Sequence, residues 1–195
     1  MKIRCRELDY EQVLSLPPME HTPPRKQPML VRRLLHALSL PELKKQHFSC
    51  EYVGMEALGA DEPALVLMNH SSFVDMKIAA AALYPRPFNI VCTYDGFVGK
   101  KRLMKALGCI PTRKFVSDVQ LLRDMEYALH TLRSDVLMFP EAGYSFDGTA
   151  TVLPDSLGKC LKLMKVSVVM ITTQGAFSRD PLYNMLQLRD VPLSA

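Results

Sequence analysis

Apolar and polar positions along this chain fall into short unbroken apolar runs and one-sided helical stripes. Ala64-Leu65-Val66-Leu67-Met68 is bounded by Pro63 and by the polar Asn69-His70-Ser71-Ser72, which predicts a strand buried on both faces. Phe88-Asn89-Ile90-Val91-Cys92, Val136-Leu137-Met138-Phe139 and Val166-Ser167-Val168-Val169-Met170-Ile171 read as further strands, and Cys109-Ile110-Pro111 as a brief strand or extended piece. Helical patterns lie between them. An alanine-rich stretch runs from Phe73 to Leu83, a basic one from Lys100 to Leu107 stops at Gly108, and another spans Leu157 to Met164. The clearest helix runs from Ser117 to about Leu132. Its stripe is Leu122, Met125, Leu129 and Leu132, and Ser117 and Gln120 stand at capping-box spacing. Strands alternating with helices predict an α/β fold, a single domain with a mostly parallel central sheet flanked by helices.

The first quarter is different. Five prolines between Pro17 and Pro28 predict an extended, semi-rigid segment. Met29/Leu30, Leu34 and Leu38 then recur at near-helical spacing with Arg32, Arg33 and His36 between them, a short basic amphipathic helix. Two placements fit it: flat on an anionic membrane, or packed on the protein's own core. Residues 1–48 are therefore expected to form a Pro-rich basic leader, and 49–195 the folded domain.

Composition sharpens this division. The chain has 195 residues, 48% hydrophobic and 23% charged, enough for one real core and unlike a disordered or low-complexity sequence. Residues 1–50 hold nine Lys/Arg against five Asp/Glu, and the remainder holds fifteen of each, so the whole formal surplus of +4 sits in the leader. Such a leader suits an anionic partner. Nucleic acid is disfavoured because the leader is poor in stacking aromatics and carries no binding motif, which leaves a phospholipid surface. No stretch approaches the roughly 18 to 20 apolar residues of a membrane span, and the opening Met-Lys-Ile-Arg lacks the apolar run of a signal peptide. The five scattered cysteines form no CxxC pair or zinc-spaced cluster, so reduced thiols and no metal are expected.

Chemistry is expected in the loops beyond the carboxyl ends of the strands. Asn69-His70-Ser71-Ser72-Phe73-Val74-Asp75 follows the first strand, and Pro140-Glu141-Ala142-Gly143-Tyr144-Ser145 follows Phe139. A strand–loop–helix turn can fold the Asp75 carboxylate back onto His70, fixing its tautomer and freeing the other ring nitrogen to take a proton. For Asp75, an ordinary place at a helix N-terminus is the plainer alternative. Ser71 and Ser72 adjoin the histidine but sit in no nucleophile elbow. A His–Asp dyad without its own nucleophile suits activation of a substrate hydroxyl. Lys100, Lys101, Arg102, Lys105, Arg113 and Lys114 stand with no acid among them, either a solvated patch or an anion-facing surface.

These residues resemble the glycerolipid (lysophosphatidic acid) acyltransferase superfamily. Asn69 to Asp75 is similar to its N-H-x-x-x-x-D signature, and Gly108-Cys109-Ile110-Pro111-Thr112-Arg113 to its second block. Phe139-Pro140-Glu141-Ala142-Gly143 is similar to its third, Phe-Pro-Glu-Gly-Thr, and the strand from Val166 to Ile171 stands in the place of the fourth. The resemblance covers about residues 50–172. It implies that His70 is the general base and Asp75 its orienting partner. Arg113 would grip the acceptor phosphate, with Lys114 as a further cation. Glu141 and Gly143 would shape the acceptor site, and Asn69 and Ser71 would support the loop.

The implied reaction moves a fatty acyl chain from acyl-CoA or acyl carrier protein to a hydroxyl of lysophosphatidate or a related glycerol phosphate. It needs no cofactor beyond the donor. The implied setting is cytoplasmic, peripheral on the inner face of the membrane, with the lysophospholipid and a possible acyl carrier protein as partners. A thioesterase, or a non-catalytic lipid- or carrier-binding module of the same fold, is the alternative. Three departures stand out: Ala142-Gly143-Tyr144 replaces Gly-Thr-Arg, Thr112 replaces an acid before Arg113, and the fourth block lacks proline. Residues 182–188 read as the start of a further strand, so the sequence is expected to be incomplete at its C-terminus.

Overall fold

The computed structural model describes residues 10–17, 20–113, 118–179 and 191–195. Five strands form one sheet in the order β3-β2-β4-β1-β5: β1 (Ala64–Met68), β2 (Phe88–Thr93), β3 (Cys109–Thr112), β4 (Asp135–Met138) and β5 (Ser167–Ile171). Every pairing is parallel, with Leu65 beside Val136 and Val168, and Ile90 beside Cys109 and Leu137. The helices are α1 (Tyr10–Leu14), α2 (Met29–Lys45), α3 (Asp75–Ala82), α4 (Lys101–Ala106), α5 (Val119–Glu126), α6 (Ser156–Met164) and α7 (Ala176–Arg179). α5 runs on as a π-helical segment, Tyr127–Thr131.

Period-two alternation on β1 explains the layering. Val66 and Met68 pack with Ile78 and Ala79 of α3 and Leu43 of α2, while Leu65 and Leu67 pack with Met125 of α5 and Met164 of α6. A strand buried on both faces must be apolar throughout, as β1 is.

One expectation needs correction. The cap of α5 is Asp118, whose carboxylate accepts the Leu121 N–H at 3.0 Å; the expected cap, Ser117, lies outside the described residues. α2 extends beyond the Met29–Leu38 spacing, through Pro41 to Lys45. Pro41 is exposed, so the carbonyl it leaves unbonded on the preceding turn can meet water, while Leu43 beyond it is anchored in the core.

Described leader residues run along the β3 side of the sheet. Gln27 Nε2 donates to Leu107 O, Asn89 Nδ2 to Arg25 O, and Lys105 Nζ to Thr22 Oγ1. His21 bonds Asp124 of α5 at 2.9 Å. β3 is an edge strand, and a proline-rich strap beside it offers few N–H groups for further pairing.

α2 runs antiparallel to α3: Glu42 pairs with Lys77 near the start of α3, and His36 stacks on Tyr84 past its end. Of the two placements foreseen for this helix, packing on the protein's own core is present on one face, and the opposite face is exposed. Leu35, Ser39 and Leu43 face the protein, whereas Leu30, Leu34 and Leu38 are 78%, 56% and 54% exposed in one outward row. Arg33, Lys44 and Lys45 are exposed beside that row. Among the described residues no helix is long and apolar enough to cross a membrane.

Candidate active site

β1 lies between β4 and β5, so the loops that follow all three strands meet at one place, beyond their carboxyl ends. The β1 loop carries the dyad. His70 Nδ1 lies 2.9 Å from Asp75 Oδ2, and the same oxygen accepts the backbone N–H groups of Ser71 (2.7 Å) and Ser72 (2.9 Å). The Asp75 side chain is fully buried and that of His70 is 12% exposed. A carboxylate oxygen already taking two amides has a fixed position, and an imidazole donating Nδ1–H to it has its tautomer fixed as well. His70 Nε2 makes no hydrogen bond among the described residues, so it is the nitrogen left for chemistry.

Ser71 thus serves through its backbone, and Ser72 Oγ accepts the Val74 N–H. Neither hydroxyl is arranged as a nucleophile. Asn69 closes the other side of the loop: its Oδ1 accepts the Thr173 N–H at 2.7 Å and its Nδ2 donates to Thr173 O, tying the end of β1 to the segment after β5.

The loop after β4 supplies the opposite wall. Ser145 N–H donates to His70 O at 2.7 Å. Burial holds the Glu141 carboxyl above its ordinary range, opposed by the neighbouring His70. Glu141 therefore stands beside the base. Ala142 adopts φ +56°, the left-handed region where a side chain costs about 1–2 kcal/mol, which accounts for glycine at this position of the resembled block. Gly143 is exposed, with nothing within 4 Å of a Cβ built there, so the backbone at that position does not require glycine.

Two aromatic residues to which the sequence reading gave no role lie over the base: Phe139, which opens the third resembled block, and Tyr144, which follows it. Phe139 stacks on His70 with centroids 3.7 Å apart and planes at 17°, and Tyr144 lies at 3.7 Å and 31°. The only sequence signal was that Tyr144 stands where the resembled block has a cation.

Arg113 is not gathered into this cluster. It is exposed just past β3, three strand positions from β1, about 14 Å at ordinary strand spacing. Its backbone N–H is held by Asp118 Oδ2. Lys114 lies outside the described residues. A polar cavity of about 200 Å³ lies at the opposite end of the sheet, among Lys26, Arg32, Asp61, Arg86, Arg133 and Asp135. Its Arg86 and Asp135 satisfy each other in a buried ion pair, which marks it as structural. Among the described residues no three His, Cys, Asp or Glu side chains are grouped so as to hold a metal ion.

A buried aspartate, an oriented histidine with one nitrogen free and a Phe-Pro-Glu turn over it agree with what sequence comparison finds. The acyltransferase family model matches residues 49–178. The chain belongs to the acyltransferase family. No curated protein sequence matches it. Among solved structures, this acyltransferase is similar to the 1-acyl-sn-glycerophosphate (LPA) acyltransferase PlsC from Thermotoga maritima, with a TM-score of 0.62 at 16% identity. The match covers 84% of this chain and 66% of that one, so the chain spans just under two thirds of its neighbour. At that identity the likeness shows a shared α/β fold.

Proposed function

We propose that this acyltransferase moves a fatty acyl group from a thioester donor to a hydroxyl of lysophosphatidate or a related glycerol phosphate. The observation that carries the reading is the dyad: Nδ1 held by buried Asp75, Nε2 left open. The acceptor hydroxyl gives its proton to His70 Nε2 as its oxygen attacks the thioester carbonyl. The new C–O bond forms, the C–S bond breaks, and the imidazolium returns the proton to the departing sulfur. No enzyme nucleophile is required.

The similarity to the LPA acyltransferase PlsC from Thermotoga maritima and the second-block resemblance support lysophosphatidate as acceptor, with Arg113 on its phosphate. A guanidinium side chain reaches about halfway across the 14 Å between β3 and β1, and the acceptor's glycerol phosphate would span the rest. Arg113→Ala is expected to raise the acceptor KM about 10- to 150-fold and to leave kcat and the donor KM nearly unchanged, since the phosphate does not change in the reaction. Steady-state kinetics in both substrates reads this. A larger effect on the donor assigns the cation to the donor site instead.

Acceptor dependence tests the activity itself. Thioester loss is expected to require lysophosphatidate; equal loss without it would make the chain a thioesterase, the same base then activating water.

The outward row on α2 supports peripheral attachment to an anionic membrane, with Leu30, Leu34 and Leu38 in the acyl boundary and Arg33, Lys44 and Lys45 at the headgroups. Exposed Leu34 and Leu38 contribute little to the core, so Leu34→Asp/Leu38→Asp is expected to fold normally and to lose at least tenfold in affinity for anionic vesicles in a flotation assay. Unchanged flotation would remove α2 as the anchor.

A further inference from the structure

We propose that Tyr144 is a positioning residue for the base: with Phe139 on the opposite face, its ring clamps the His70 imidazole and stabilises the imidazolium formed during transfer. The proposal rests on the reading of His70 as general base.

Two rings whose centroids each lie 3.7 Å from that of the imidazole, Phe139 stacked at 17° and Tyr144 tilted at 31°, cannot share one face, so they cover both. Only the ring edge remains. Nδ1 on that edge is bound to Asp75, which leaves Nε2 as the direction from which a proton can arrive. The π-face of an aromatic ring attracts a cation more than a neutral ring, most strongly where water is excluded. The clamp therefore favours the charged form of His70, the form the reaction creates.

The placement of Tyr144 is built rather than incidental. It sits in the irregular segment between β4 and α6, next to buried Ser145, whose N–H bonds His70 O and whose Oγ donates to Thr149 O and accepts the Gly148 N–H. That knot fixes the loop on the histidine's own backbone. Phe73, from the β1 loop, meets the Tyr144 ring at 5.4 Å. Among the described residues the titratable groups facing His70 are Asp75 from α3, and Glu141 and Tyr144 itself from the β4 loop. Tyr144→Leu leaves the two carboxylates in place and removes one aromatic face.

The test is an NMR titration of the His70 ring protons in wild type, Tyr144→Leu and Tyr144→Phe, with the pH profile of kcat/KM measured beside it. For Tyr144→Leu the His70 midpoint is expected to fall by about 0.4 to 1.5 pH units, the acid limb of the profile to move with it, and kcat to drop about 2- to 30-fold. Tyr144→Phe keeps the ring and is expected to keep the wild-type midpoint and limb. Should Tyr144→Leu fail to fold, Tyr144→Met reads the same loss. An unmoved midpoint overturns the proposal. So does an upward shift, which would mean that the ring only excludes water. The midpoint reads the clamp whether or not the chain turns over, and His70→Ala reads the base, so the two ideas can fail separately.

Discussion

Replacing His70 by alanine is expected to lower turnover about 10²- to 10⁴-fold while the protein stays folded. Without the imidazole, the acceptor hydroxyl must give its proton to water, and the departing sulfur loses its donor. The fold survives because the buried Asp75 oxygen keeps two of its three partners, the Ser71 and Ser72 amides. Phe139 and Tyr144 lose the ring between them, which costs packing locally, while Phe139 keeps its contact with the core on the α2–α3 side of the sheet. Steady-state kinetics on a sample with wild-type circular dichroism checks the prediction, and near-normal turnover in that sample would sink the proposed mechanism.

Asp75→Asn is expected to cost almost as much, about 10²- to 10⁴-fold in kcat, by a different route. The amide oxygen can occupy the place of Oδ2 and accept the same three N–H groups, so the loop keeps its shape. The amide nitrogen then takes the place of Oδ1, which is buried without a partner already. What disappears is the negative charge that stabilises the imidazolium. Asp75→Ala is a poorer probe. It strands two buried amides, each worth about 1–3 kcal/mol, and mixes misfolding with catalysis. For Asp75→Asn the acceptor KM should stay close to wild type, because the residue acts through His70; a KM effect without a kcat effect would assign it to substrate binding.

Much of this architecture is legible in the linear chain, for identifiable reasons. β1 announces itself because a strand covered on both faces is apolar throughout. β5 reads as a strand too, yet it lies at the sheet edge with Val168 and Met170 exposed. The parallel pairing follows from the helices between the strands. The dyad is legible because five residues across a strand–loop–helix turn suffice to bring His70 and Asp75 together. What was hidden depends on which strands are neighbours. Thr173 is 104 positions from Asn69, and only the placing of β5 beside β1 lets them bond. Tyr144 was visible merely as a departure from a motif; its contact with His70 needs β4 next to β1 and the Ser145 knot. The cap of α5 was misplaced by one residue because serine and aspartate are near-equal cap formers standing side by side. That α2 passes through Pro41 is not visible in the spacing of its leucines; it depends on Pro41 standing on the solvent face.

The central claim is that the acyl group passes directly from donor to acceptor, with His70 as base and no acyl-enzyme. The most direct measurement is a single-turnover experiment with a donor labelled in its acyl chain, with and without lysophosphatidate, following the label into lipid, free acid and protein. The account predicts label in the doubly acylated lipid, only when acceptor is present, and none bound to protein. Label that accumulates on the protein, or in free acid at the same rate without acceptor, contradicts it.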